Sequence, residues 1–271
     1  MTRLPAFIIS FNRGHMLTRT VTGLRKMEAC IEIIVHDNGS DDPETLEILD
    51  DLRLQDIFVV RKSKILSADE LNNTNETVDD YFRNKESMPY IVSDCDVDMS
   101  YADPRAISVY LELLERFPTV ECVGPMLRIR DVPQQYPLYA HLMNRHVEQF
   151  WGKRPSWCDT CAGRTAYQFA PIDTTLAVHR ANHPFRRLKR GIRVYEPFEA
   201  VHLDWYLTSG VEDVYTLTSN SAVSHWNNAS QFLAYGNATH NYSRYFVVER
   251  TDGGSLIERE IKYHSAYSAF Y

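Results

Sequence analysis

The residues of this 271-residue chain that could do chemistry gather where apolar runs give way to turns. Asp94-Cys95-Asp96 follows the run Tyr90 to Ser93. Two carboxylates one residue apart on such a turn can share a hard divalent cation with the oxygens of a diphosphate, because Mg²⁺ or Mn²⁺ takes oxygen ligands and leaves positions for substrate. The cation would neutralise charge building on a departing nucleoside diphosphate. The same pattern also occurs as a plain surface turn. Asp37, followed by Asn38-Gly39-Ser40, offers a second strand-end carboxylate. It could accept a hydrogen bond from a base N–H or a ribose hydroxyl, or it could close an Asx-turn on its own backbone.

Two weaker candidates lie late in the chain. In His202-Leu203-Asp204-Trp205-Tyr206 a carboxylate stands beside aromatics. Sugars pack on aromatic faces while a carboxylate takes a hydroxyl proton, so Asp204 is the candidate catalytic base, with Asp159, Asp173, Glu212 and Asp213 as competitors and a helix-start cap as its plain alternative. His225, in Ser224-His225-Trp226-Asn227, could ligate Mn²⁺ as a neutral imidazole or serve as a hydrogen-bonded structural residue. Ile172-Asp173-Thr174-Thr175 could line an acceptor pocket or be an ordinary strand.

The elements that must position these groups alternate. Ala6 to Ser10 reads as a buried strand, Met16 to Met27 as a helix with Leu17, Val21 and Leu24 on one stripe, and Ile31 to Val35 as a second strand. Asp42 before Pro43 caps a second helix. Ile57 to Val60, Leu71 to Phe82 and Tyr90 to Ser93 continue as strand, helix and strand, followed by the amphipathic helix Ile107 to Phe117. This pattern predicts an α/β fold: a mainly parallel sheet flanked by helices, with ligands beyond the carboxyl ends of the strands. A strand over Val120 to Ile129, interrupted at Gly124-Pro125, a long loop over 133–155 with a short helix near Leu138 to Phe150, and a strand over Ala170 to His179 follow. Residues 1–130 are expected to bind one ligand and 131–271 to complete the site as a smaller subregion of the same domain.

With 44 % hydrophobic residues the chain can bury a sizeable core, and a net charge of −7 argues against a general nucleic-acid binder. The one dense basic run, from Arg180 to Arg193, is expected to be a solvated face that could hold a phosphate or an anionic lipid surface. No run approaches the roughly 18 apolar residues of a spanning helix, and the amino terminus lacks a signal-peptide layout, so a cytoplasmic location is expected. Five cysteines are expected to be reduced thiols, the lone Cys158-x-x-Cys161 included.

Taken in order, Phe11-Asn12-Arg13, Val35-His36-Asp37-Asn38-Gly39-Ser40-Asp41-Asp42 and Ser93-Asp94-Cys95-Asp96 resemble the nucleotide-sugar half of the GT-A glycosyltransferases, the family-2-like group in particular. The resemblance covers roughly the first 130 residues. It implies a metal-dependent transferase of polysaccharide biosynthesis, moving a sugar from a nucleotide-sugar donor, UDP-sugar foremost, to a glycan or other hydroxyl acceptor. It also implies Arg13 and Asp37 at the nucleoside, Asp94 near the ribose, and Asp96 with His225 on Mn²⁺ or Mg²⁺. His36, where many relatives are apolar, and the Asn-rich stretch from Leu71 to Thr77 depart from the pattern. Two other classes compete: a haloacid-dehalogenase-type phosphohydrolase using Asp94 and Asp96, whose motif normally sits on the first strand, and a non-catalytic carbohydrate-binding module, which would not need two strand-end carboxylate sites.

Overall fold

The computed structural model describes residues 3–66, 70, 72–136, 138–187, 189–207 and 244–262. Its centre is a sheet that begins with β1 (Leu4–Ser10), β2 (Ile31–Asp37), β3 (Phe58–Arg61) and β4 (Tyr90–Asp94), interleaved with α1 (Gly14–Arg25), α2 (Pro43–Leu54) and α3 (Thr74–Phe82). The short β5 (Val97–Asp98), α4 (Ala106–Arg116) and β6 (Cys122–Pro125) follow, then α5 (Tyr139–His146) with a π-helical turn at Val147–Trp151. Next come β7 (Ser156–Thr160), β8 (Gly163–Ile172), β9 (Ala177–His179), β10 (Lys189–Val194) and β11 (Val201–His202), the last leading into a 3₁₀ turn at Leu203–Tyr206. A hairpin of β12 (Arg244–Arg250) and β13 (Leu256–Lys262) forms a separate two-stranded sheet.

The nine-stranded sheet has the order β3-β2-β1-β4-β9-β6-β10-β8-β7. The first four strands are parallel, β9 runs against both of its neighbours, β10 is parallel to β6, and β8 and β7 finish as an antiparallel meander. This is the mainly parallel, helix-flanked α/β fold that the alternation predicts. Strand β1 is buried along its whole length, and its side chains alternate between two cores. Ala6 and Ile8 join the core that holds Leu17, Val21 and Leu24 of α1, whereas Phe7 and Ile9 pack with Val78 of α3. Each of the larger of these side chains contributes about 1.5–3 kcal/mol relative to exposure. Helix α2 starts as expected, with Pro43 at its first turn and the Asp42 carboxylate accepting from the Thr45 N–H.

Two expectations change. The single strand expected over Ala170 to His179 is two, because β8 ends at Ile172 and β9 begins at Ala177, with β6 and β10 between them in the sheet. Leu176 takes a positive φ of 59° in the intervening turn, and the Thr174 carbonyl accepts from the Asp94 N–H at 2.7 Å. The basic run is not simply a solvated face either. Lys189 and Arg193 are buried in β10, where Arg193 donates to the carbonyls of Pro171 and Pro125 and lies over the Phe150 ring. No helix of the described residues is long and apolar enough to cross a membrane.

Candidate active site at the carboxyl ends of the strands

The register of the sheet fixes the site. Ser10 pairs with Asp37 on one side of β1, and Ile9 pairs with Asp94 on the other. Strand order reverses between β1 and β4, so Asp37 and Asp94 flank the switch point where an α/β sheet opens a crevice.

Beyond β1, Asn12 adopts the left-handed conformation that Asn tolerates, φ 47°, and its side chain grips the loop after β2. Its carbonyl oxygen accepts from the N–H groups of Asp41 and Asp42, and its amide donates to Asp41. Gly39 has φ 75°, and a Cβ there would fall 2.7 Å from the Lys64 nitrogen, so glycine is required on both counts. Asp37 is fully buried; it accepts from the Ser40 N–H at 3.0 Å, from the Ser40 hydroxyl, and from Arg61 Nε at 3.2 Å. The Asx-type turn and the charged strand end are therefore one structure.

His36 explains its own departure from an apolar residue. Its Nε2 faces two amide oxygens, Asn38 Oδ1 at 3.1 Å and Asn73 Oδ1 at 3.0 Å, and its Nδ1 lies 2.8 Å from the Thr77 hydroxyl. These partners suit a neutral ring with the proton on Nε2. Burial lowers its pKa, against the opposing pull of Asn73 and Asn38. The Asn-rich stretch is tied to β2 through this ring.

At the end of β4 the two carboxylates differ. Asp94 accepts from the Thr174 hydroxyl. Burial pushes its pKa up to about 6, with Asp96 adding to the rise and Arg187 and Thr174 opposing it. Asp96 Oδ2 accepts from Arg13 Nη1 at 2.8 Å, while Asp96 Oδ1 is buried and meets no hydrogen-bond donor among the described residues. His202 Nε2 lies 3.8 Å from Oδ1, on a ring stacked against Trp205. The other end of the Arg13 guanidinium donates to Asp204 Oδ1, and the Tyr136 hydroxyl donates to Asp204 Oδ2 at 3.1 Å. Burial, followed by the neighbouring Asp204, holds the Tyr136 phenol well above its ordinary pKa, so it remains a donor.

Asp96, Arg13 and Asp204 thus form one continuous group, with Arg13 bridging the two carboxylates; Asp94 is held beside it by Thr174, and Asp37 is served by Arg61. Asp204 is not a helix-start cap, since its carboxylate goes to Arg13 and Tyr136. His225 lies outside the described residues, as do Glu212 and Asp213. Arg61, Tyr136 and His202 were given no role from the sequence, and Thr174, expected at an acceptor pocket or in an ordinary strand, donates to Asp94 instead. Of these, His202 carried a usable signal in its adjacency to Asp204, and Thr174 carried one in the polar stretch after Ile172.

The donor set suits a divalent cation at one atom, the unpartnered Asp96 Oδ1. Among the described residues no group of three His, Cys, Asp or Glu stands together as a metal cage. A cation here would complete its shell with diphosphate oxygens and water, the open arrangement that substrate-binding Mg²⁺ and Mn²⁺ sites use.

The fold and the rim define an α/β domain with two strand-end carboxylate stations. Residues 6–67, which span the first two motifs, match the model of Glycosyl transferase family 2. No curated protein matches the chain. Among solved structures it is similar to a mannosyltransferase from Pyrobaculum calidifontis in complex with GDP-Man and Mn²⁺, at 16 % identity and TM-score 0.36, covering 48 % of this chain and 36 % of that one. It is also similar to glucosyl-3-phosphoglycerate synthase from Mycobacterium tuberculosis, at 13 % identity and TM-score 0.37, covering 66 % and 57 %. A third is TarS from S. aureus in complex with UDP, at 14 % identity and TM-score 0.38, covering 66 % and 47 %. The aligned region spans between about a third and somewhat over half of those proteins' lengths.

Proposed function

We propose that the chain is a metal-dependent glycosyltransferase that moves a sugar from a nucleoside diphosphate, UDP by resemblance, to a hydroxyl of a glycan acceptor. The observation that carries the reading is the buried, unpartnered Asp96 Oδ1 at the switch-point crevice, one residue from Asp94 and joined through Arg13 to Asp204. The family-2 match over residues 6–67 supports it.

In this reading residues 1–130 hold the donor and the later residues complete the acceptor side. Asp37 serves the nucleoside by fixing the turn through Ser40, since its own oxygens are engaged. Asp94 reaches the ribose and diphosphate, and Asp96 offers Oδ1 to the cation. With Mn²⁺ or Mg²⁺ held at Asp96, charge on the leaving diphosphate would be neutralised. If the anomeric centre is inverted, Asp204 takes the acceptor hydroxyl's proton, which requires one of its oxygens to leave Arg13 or Tyr136. Arg13, once released from either carboxylate, is placed to carry positive charge toward the diphosphate. Tyr136 orients Asp204 through the second oxygen.

The test is calorimetric titration with UDP, GDP, dTDP and ADP, each with and without Mn²⁺. The expected result is one nucleotide bound tightly only with Mn²⁺. Binding of none would contradict the proposal, and turnover of phosphomonoesters in its place would favour the phosphohydrolase.

A further inference from the structure

A cavity of about 250 Å³ lies between the start of α4, the β7–β8 turn and the β12–β13 turn, and no residue of the carboxylate rim lines it. Three arginines from distant parts of the chain, Arg105, Arg164 and Arg250, converge on it, joined by Ser255 and by Pro197 and Phe198. In a protein of net charge −7 this local surplus runs against the composition. Converging guanidiniums repel unless an anion stands among them.

The nearby acids engage only one of the three arginines directly. Asp103 takes a bidentate pair from Arg105, Nε to Oδ1 at 2.9 Å and Nη2 to Oδ2 at 2.7 Å, and Glu28 acts on the same arginine. Arg250 lies within electrostatic reach of Asp103 but forms no ion pair with it. Arg164 is held over the Trp157 ring at 4.5 Å and makes no ion pair with its cross-strand neighbour Asp159. Arg164 and Arg250 are therefore without a carboxylate partner among the described residues. Stacking fixes the Arg164 fork while leaving its N–H donors available, and the Ser255 hydroxyl adds another.

We propose that this cavity binds a phosphomonoester group through Arg164 and Arg250, with Arg105 and Ser255 completing the cradle. The planar forks suit the tetrahedral, doubly charged oxygens of phosphate. A volume of about 250 Å³ suits a phosphate with a small substituent. The site is independent of the transferase reading. Its floor, Pro197 and Phe198, leads directly into β11 and Asp204.

The experiment is calorimetric titration of the full chain with inorganic phosphate and with glycerol phosphate, beside co-sedimentation with vesicles containing phosphatidic acid. The variants are Arg164→Gln, Arg250→Gln and Arg250→Lys, each checked for an unchanged melting temperature. Saturable, salt-sensitive binding of a soluble phosphate, weakened at least about tenfold by either glutamine variant and less by the lysine variant, is the expected result. Vesicle binding with the same arginine dependence would support the phosphate chemistry and assign it to a lipid headgroup. Absence of saturable binding to every probe, or equal affinity in wild type and the glutamine variants, would overturn the proposal.

Discussion

The ends of β2 and β4 lie on either side of the same strand, and each presents a buried aspartate, yet the two carboxylates are spent differently. Asp37 accepts from the Ser40 backbone, the Ser40 hydroxyl and Arg61, so its charge is used in building the turn. Asp96 gives one oxygen to Arg13 and keeps the other without a donor among the described residues. A buried acceptor left unmade costs free energy, so this oxygen calls for a partner that the described residues do not supply. The comparison separates a carboxylate that shapes a pocket from one that reaches into it.

Removing the Arg13 bridge should have the largest effect. Arg13→Met would leave Asp96 and Asp204 buried without their shared cation, and stability to urea should fall by about 3–5 kcal/mol, the range for breaking a buried ion pair from one side. Added Mn²⁺ should restore part of the loss, because a cation can take the guanidinium's place. A variant as stable as wild type would show that Arg13 is not the counter-ion of this group. A smaller effect is expected at β2. Asp37→Asn keeps the shape and loses the charge-assisted bonds to Ser40 and Arg61, so unfolding should become easier by about 1–3 kcal/mol without Mn²⁺ dependence. Mn²⁺ rescue of that variant would erase the distinction between the two aspartates.

How far the sequence carried these conclusions depended on whether the relevant forces were local. The β1–β4 half was legible because apolar runs, turn formers and the Asp42-Pro43 cap act over a few residues, and all of those strands and helices appear within a few residues of their expected ends. The strand-end positions of Asp37, Asp94 and Asp96 follow from the same local signals. The partners that give them their properties do not. Arg61, Thr174 and Tyr136 reach the site through sheet order and loop crossing, and the contact between Arg13 and Asp204 joins positions 191 residues apart. The β8–β9 break was hidden because Ala170 to His179 is compatible with one strand; only the long-range pairing of each half shows otherwise.

The pH dependence sharpens the comparison most gently. The Asp94 pKa is raised above its unfolded value, to about 6, chiefly by burial. The folded protein therefore holds this proton longer than the unfolded chain, and its contribution to stability is complete below about pH 4 and declines as pH rises through about 6. Ligand binding runs the other way, because a cation and diphosphate partner require the ionised form. Metal-dependent nucleotide affinity should rise up to about tenfold between about pH 5 and pH 7, and Asp94→Asn should flatten that rise. A rise that persists in Asp94→Asn would place the titrating group elsewhere.

The most direct test of the central claim is a Mn²⁺-dependent nucleotide titration of Asp96→Ala beside wild type, using whichever nucleoside diphosphate the wild-type protein binds. Wild type should bind only with Mn²⁺, and Asp96→Ala should lose more than about 100-fold of that affinity, about 2.7 kcal/mol, while remaining folded. Equal Mn²⁺-dependent affinity in the two proteins would contradict the assignment of Asp96 to the metal, and with it the claim that its unpartnered oxygen is the heart of the site.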